Sequence, residues 1–203
     1  LTILSNYYTG YMICLFLGFY FPYAYLMLND SFSWKNFIKQ FGRFIFYSLL
    51  AVGLIMFILL PTFYSLLGSK GTATTIAWSL KSEYNPLLMA SKLFIGSFDF
   101  HEMQKGYPNI FVGSLALFSF LCYFKEKKIA LSQRLYALFI TIVLLISFNI
   151  EMFDKLWHAG QLPNWYSYRF SFLFSFWMVF LGYQWTLKKT AVGIHETFVY
   201  FFL

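Results

Sequence analysis

Apolar residues in this chain gather into long runs, and polar residues are confined to the segments between them. Five runs approach the ~20 residues that a helix needs to cross a hydrocarbon core. They cover about residues 7–28, 44–67, 110–124, 135–150 and 170–187. A sixth begins near Val192 and continues to the last residue. In lipid, backbone N–H and C=O groups must be satisfied within their own segment, so such runs predict helices. The expected fold is all-α: a polytopic transmembrane helical bundle of five to six spans, forming a single transmembrane region over residues 1–203. Pro22 lies inside the first run and predicts a kink, which neighbouring helices can compensate.

Polar punctuation sets the boundaries. Asn29, Asp30 and Ser31 close the first run, and an amphipathic lead-in with Lys35, Lys39 and Arg43 opens the second. Gly68, Ser69, Lys70 and Gly71 end the second, and Lys125, Glu126, Lys127 and Lys128 end the third. Lys188 and Lys189 end the fifth. Basic residues in short connections set orientation. Lys35, Lys39, Arg43, Lys125, Lys127, Lys128, Arg134, Lys188 and Lys189 all fall on one side in short connections, which predicts that side to be cytoplasmic. The other side carries Lys70, Lys81, Lys92, Lys105, Lys155 and Arg169 over far more chain. Segments 68–108 and 151–169 are then both extracytoplasmic loops of a multi-pass membrane protein.

The first of these loops is long for a connector, which favours a functional role. Within it, Asn85 followed by Pro86 reads as a helix cap with proline at the first helical position. An apolar run follows and stops at Gly96; it is too short to span, so a helix lying in the outer interface is expected.

Composition excludes an ordinary soluble globule. Hydrophobic residues make up 60% of the chain and charged residues 11%, against about 45–50% and about 25% in soluble domains. A net charge of +7 would point to nucleic acid in a soluble protein. Here the basic residues mark span ends, so the bilayer and not nucleic acid is the expected partner. Cys14 and Cys122 lie at different depths in different spans, too far apart for a disulfide. The chain begins at Leu1 and ends at Leu203 within an apolar run, as a fragment of a larger protein would. Its first run lacks the basic leader and small-residue cleavage site of a signal peptide.

Candidate chemistry therefore sits in the loops. Glu151, Asp154 and His158 share one face if the fourth helix continues outward, a spacing that can hold a divalent cation or move a proton. The plainer reading is a solvated helix end with Glu151 and Lys155 as an i, i+4 ion pair. Asp99, His101 and Glu102 form a second group in the long loop, which matches no metal motif and can equally be wet surface. Arg169 sits where the outer interface meets the fifth span. A guanidinium there is costly unless paired, and its planar fork suits phosphate. Snorkelling to water, or pairing with Glu151 or Asp154, is the alternative. Gln161 and Asn164 supply amides of the kind that read sugar hydroxyls. Trp157, Trp165, Tyr166 and Tyr168 can stack on a sugar or simply belong to an interfacial aromatic belt. No P-loop and no paired-cysteine motif occurs.

Three segments carry a family resemblance. They are Asn6 to Met12 (NYYTGYM), Gly106 to Gly113 (GYPNIFVG), and the run holding Trp157, His158, Gln161, Pro163, Asn164, Tyr168, Arg169, Phe170, Ser171 and Phe172. Together they resemble the YfhO family of bacterial multi-span membrane proteins, over nearly the whole chain to about Lys189. The resemblance implies a membrane glycosyltransferase of the GT-C type. Its donor would be a polyprenyl-phosphate-linked sugar and its acceptor a cell-envelope polymer such as lipoteichoic acid. It also implies roles for Arg169, His158, Gln161 and Asn164 in binding the donor phosphate and sugar. Glu151, Asp154, Asp99, His101 and Glu102 stay accessory candidates outside the motif. The catalytic base of GT-C enzymes lies in the first outer loop, which implies a position before Leu1. No cofactor beyond a divalent cation is implied. A transporter or flippase of a lipid-linked intermediate, and a non-catalytic membrane scaffold, remain the rival readings. Charges confined to span ends favour the enzyme over the transporter.

Overall fold

A computed structural model describes residues 2–29, 31–67, 80–97, 99, 101, 106–160 and 167–189. Its described elements are helical. In chain order they are α1 (Thr2–Ser5), α2 (Tyr7–Leu28), α3 (Trp34–Leu54), α4 (Met56–Leu67), α5 (Pro86–Ser91), α6 (Ser114–Lys125), α7 (Leu131–Asn149), α8 (Glu151–Trp157) and α9 (Ser171–Lys189).

The first predicted span is realised from Tyr7 to Leu28, and Asn6 explains its start. The Asn6 side chain accepts from the Tyr8 and Thr9 amides at 3.0 and 3.2 Å, satisfying two orphan donors of the first turn. The helix runs through Pro22. The second predicted span differs. Its amphipathic lead-in is already helix from Trp34, and the helix breaks at Ile55 before resuming as α4. The basic residues thus ride on α3 itself. The third predicted span is only 12 residues of helix, α6. By length and composition, α2, α3 and α7 are each long and apolar enough to cross a bilayer. The other two predicted spans correspond to the short α6 and to α9, whose 19 residues include serine, glutamine and lysine among the aromatics. The run near Val192 lies outside the described residues.

Four helices form the core: α2, α6, α7 and α9. Trp177 of α9 stands at its centre, fully buried. Its indole N–H donates to Thr141 Oγ1 of α7 at 3.1 Å, and the ring meets Tyr23 of α2 edge-on at 5.0 Å. Tyr23 and Tyr123 share a buried hydroxyl–hydroxyl hydrogen bond of 2.8 Å, tying α2 to α6. These partners matter because an unpaired polar atom in hydrocarbon costs several kcal/mol (~2–7). Small residues set the closest approach. A Cβ built on Gly182 of α9 would stand 3.1 Å from the Ser119 Cβ and 3.3 Å from the Ala116 carbonyl oxygen of α6. Backbones meet closely at such positions, and dispersion rather than water exclusion drives helix pairing in lipid.

The bundle has two distinct ends. One gathers the C-terminus of α2, the α6–α7 turn and the C-terminus of α9, with Lys125, Lys127, Lys128, Arg134 and Lys188. There Arg134 donates to the Phe124 carbonyl at 3.1 Å and Gln133 to the Leu26 carbonyl at 2.9 Å. The other end gathers the starts of α2, α6 and α9 with the end of α7. α3 touches α2 through the ring cluster of Phe21, Phe37, Phe41 and Phe44 and buries none of its residues, and α4 follows it. Neither cysteine is in a disulfide; Cys122 is buried and Cys14 exposed.

Candidate functional site

The chain builds this site by stopping α7 early. A shared face for Glu151, Asp154 and His158 requires the fourth helix to continue outward through Glu151. Instead Ile150 is extended, at φ −105° and ψ 118°, and α8 starts afresh at Glu151. The break lets Ile150 pair antiparallel with Ser82 of the long loop. The Glu83 amide donates to the Asn149 carbonyl at 2.8 Å, and the Glu151 amide donates to the Lys81 carbonyl at 3.2 Å. The Ser82 hydroxyl adds a 3.0 Å bond to the Asn149 side chain. Residues 81–83 are thereby stitched to the end of α7, and the two loops singled out in the sequence meet.

On α8, Lys155 and Glu151 form the i, i+4 ion pair at 2.6 Å. His158 follows the helix and is buried. Its Nδ1 lies 2.8 Å from the Asp154 carbonyl oxygen and 3.2 Å from the Asp154 carboxylate. A carbonyl can only accept, so Nδ1 carries the proton and Nε2 faces away from it. That Nε2 is buried and has no hydrogen-bond partner among the described residues. The ring is held from behind by aromatics. Phe170 lies stacked between Phe148 (4.7 Å) and Trp157 (5.0 Å), and meets His158 edge-on at 5.8 Å.

Two consecutive residues before α9 face different partners. Tyr168 adopts φ +60°, an uncommon conformation for a residue with a side chain. Its hydroxyl donates to the Glu83 carboxylate, and Tyr84 packs edge-on against its ring at 5.8 Å. Arg169 is exposed, with its guanidinium 5.2 Å from the centre of the Tyr8 ring. That distance is within the range of a cation–π contact. Tyr8 also lies 5.8 Å from His158, so one ring at the start of α2 touches both groups. A further tie joins α2 to α8, from the Tyr11 hydroxyl to the Leu156 carbonyl at 3.0 Å.

Below Arg169 and Tyr8 opens an apolar groove between α2 and α9. It has a volume of about 340 Å³ and is lined by Ile13, Phe16, Leu17, Tyr20, Phe172, Leu173 and Phe176. Arg169 stands in the turn just before α9, and Phe172, the first groove residue on that helix, comes three residues later. Tyr8 precedes Ile13, the first groove residue on α2, by five.

The electrostatics are those of a half-dry acidic cluster. Burial raises the Glu83 carboxyl above the ordinary carboxylate range; the Tyr168 hydrogen bond opposes this, Asp154 and Glu151 add to it, and His158 opposes it. Burial also raises the phenols of Tyr84 and Tyr168, so both stay protonated donors near neutral pH.

Of the residues expected to carry chemistry, Glu151, Asp154 and His158 come together on and after α8. Glu151 is engaged by Lys155 and Asp154 by His158, while Arg169 lies over Tyr8. Asp99 and His101 are exposed on the long loop, and it is Glu83 that the chain draws to the α8 end. Glu102, Gln161 and Asn164 lie outside the described residues. The expected interfacial helix is a short α5, six residues, with Asn85 capping the Leu87 amide at 3.0 Å and Gly96 at φ +74° beyond it. Among the described residues, no group of three His, Cys, Asp or Glu side chains is placed to hold a metal ion. Glu83 and Tyr8 are the residues that sequence reasoning passes over. Glu83 had one faint signal, an acidic residue two positions before a helix cap.

A family model described as bacterial membrane protein YfhO matches residues 1–203. No curated protein matches the chain. No solved structure matches it.

Proposed function

We propose, from the premise that this chain belongs to the YfhO family of bacterial membrane proteins, that it takes part in glycosyl transfer outside the membrane. The donor is a sugar carried on a polyprenyl phosphate, and the acceptor is a hydroxyl of a cell-envelope polymer such as lipoteichoic acid. The isoprenoid tail lies in the groove between α2 and α9. The donor phosphate sits at Arg169, whose planar fork gives two charge-assisted hydrogen bonds to phosphate oxygens. Gln161 and Asn164 read the sugar hydroxyls.

In the reaction the acceptor hydroxyl gives its proton to a base, expected from the family resemblance to lie before Leu1, its oxygen attacks the anomeric carbon, and the bond from that carbon to the phosphate oxygen breaks. The leaving phosphate keeps the electron pair, and a fixed cation beside it stabilises the charge that develops. His158 contributes a fixed Nε2 that can accept a hydrogen bond from a sugar hydroxyl, because Asp154 and the Phe170 stack hold the ring with its proton on Nδ1. The orphaned Nε2 is the kind of buried polar atom that a bound ligand satisfies.

One juxtaposition supports the reading: Arg169 lies over Tyr8, and the lining of an apolar groove begins three residues after Arg169 and five after Tyr8. A phosphate on a long hydrocarbon chain needs that combination, and a soluble nucleotide sugar does not. The ionisable groups of α2, α6, α7 and α9 lie near helix ends, whereas transporters place theirs near mid-span. The test is transfer of labelled sugar from undecaprenyl-phosphoryl donors by membranes containing the protein. Arg169→Ala is expected to abolish transfer with insertion intact, and full transfer by that variant would remove Arg169 from the site.

A further inference from the structure

The lead-in to the second span is helix, and its charges fall in a single row. Lys35, Lys39 and Arg43 stand at i, i+4 and i+8 on α3, about 12 Å from first to last, and all three are exposed. Side chains at that spacing are neighbours on one face. The opposite face holds Phe37, Phe41 and Phe44, whose rings lie 5.7, 5.3 and 4.9 Å from the ring of Phe21 on α2. The row therefore faces away from the bundle. α3 contains no aspartate or glutamate, and none of its three cations makes a hydrogen bond or ion pair among the described residues. Arg134 and Lys155, by contrast, are each held by a partner.

The row lies alongside α2, not beyond it. Phe21 comes seven residues before Leu28, the end of α2, or about 10 Å along the axis. Phe41 and Phe44 flank Arg43 in sequence and pack on that ring, so Arg43 is level with the last turns of α2. The same face of α3 then turns apolar. Three residues after Arg43, Phe46 begins a groove of about 430 Å³ lined also by Leu49, Leu50, Gly53 and Leu54. From Phe46 to Leu54 is about 12 Å of helix, close to the ~15 Å of one hydrocarbon leaflet. A Cβ on Gly53 would meet nothing within 4 Å, so the groove is open there.

We propose that this face of α3 binds an anionic glycerophospholipid of the leaflet at the basic end of the bundle. Its phosphodiester lies on the row of Lys35, Lys39 and Arg43, and one acyl chain lies in the groove from Phe46 to Leu54. The site is separate from the glycosyl-transfer reading, whose groove runs between α2 and α9. Both parts are needed to select this ligand. A soluble polyanion uses the cations and leaves the groove empty. A zwitterionic lipid fills the groove, but its own cation stands against the row. Each lysine or arginine near an anionic leaflet adds roughly fivefold to affinity. Arg43 adds a planar fork that donates to two phosphate oxygens at once. A bound lipid also gives a partner to α3, which buries none of its own residues.

The full chain is titrated with phosphatidylglycerol and with phosphatidylcholine of identical acyl chains, and bound lipid is counted by native mass spectrometry. Wild type is expected to bind phosphatidylglycerol at least about tenfold more tightly. The triple variant Lys35→Gln, Lys39→Gln, Arg43→Gln is expected to bring the two lipids to parity. Arg43→Gln alone is expected to weaken phosphatidylglycerol about fivefold and leave phosphatidylcholine unchanged. Lys125→Gln, Lys127→Gln, Lys128→Gln removes as much charge from the α6–α7 turn at the same end, and is expected to keep the preference. Gly53→Leu fills the groove and is expected to weaken both lipids alike. Equal binding of the two lipids by wild type overturns the proposal. So does a preference that survives in the α3 triple variant or disappears in the turn variant. If the triple variant does not insert, Arg43→Gln decides, and unchanged phosphatidylglycerol affinity in it overturns the proposal. Undiminished binding of both lipids by Gly53→Leu overturns the placement of the acyl chain.

Discussion

Tyr168 donates its hydroxyl to Glu83 across 85 residues of sequence. That bond joins the turn before α9 to a loop strand already paired with the end of α7. It closes a ring of contacts from Glu83 through Asn149, α8, Phe170 and back to Tyr168. The ring ties residues 81–83, the end of α7, α8 and the turn before α9 to one another.

Breaking the bond should release the loop strand first. Tyr168→Phe removes about 1 kcal/mol, or roughly fivefold in exchange protection. Hydrogen exchange should speed up at the Glu83 and Glu151 amides, which hold the strand to α7. Amides in the middle of α7 should not change. Unaltered exchange at Glu83 would mean that the hydroxyl does not hold the strand.

The same strand should respond to pH. The folded-state Glu83 carboxyl is raised, chiefly by burial. A raised acid favours the folded state when protonated, so this contribution is fully present below the ordinary carboxylate range. It is lost as pH rises through the raised value. Strand protection, corrected for intrinsic exchange, should fall over the mildly acidic range, and Glu83→Gln should flatten the curve. A curve that rises with pH in the wild type would contradict burial as the dominant influence on this carboxyl.

Gly182 tests the packing of α6 on α9. Alanine there meets the Ser119 Cβ at 3.1 Å, and a few tenths of an ångström of adjustment should suffice. Leucine cannot be accommodated that way. Gly182→Leu should cost about 1–3 kcal/mol, seen as a lower midpoint of thermal unfolding in detergent, with Gly182→Ala close to wild type. Equal midpoints for Gly182→Leu and wild type would mean that the two helices do not approach closely at Gly182.

The hydrophobic pattern made the bundle legible because lipid leaves the backbone no alternative to helix, and the ends of α2 followed from a cap residue and a polar turn. The helix break at Ile150 was not legible. Ile150 continues the apolar run, and its extended backbone comes from pairing with Ser82, a partner 68 residues away that no local pattern announces. Arg169 drew notice because a lone guanidinium at an outer interface demands a reason. Glu83 did not, since a carboxylate in a wet loop is unremarkable until a tyrosine is found on it. Asp99 and His101 drew notice by clustering in sequence, and both are exposed on the long loop.

The claim that a lipid-borne phosphate occupies the head of the α2–α9 groove is met most directly by photocrosslinking. An undecaprenyl phosphate analogue with a diazirine near the phosphate end of its tail is irradiated with the protein in nanodiscs, and the labelled peptides are mapped. Labelling should concentrate on residues 13–20 and 172–176, the segments that line the groove. In Arg169→Ala it should fall at least about tenfold, as expected for losing a charge-assisted bond of ~1.5–3 kcal/mol. Labelling spread over α3 and α4, or undiminished in Arg169→Ala, would contradict the account.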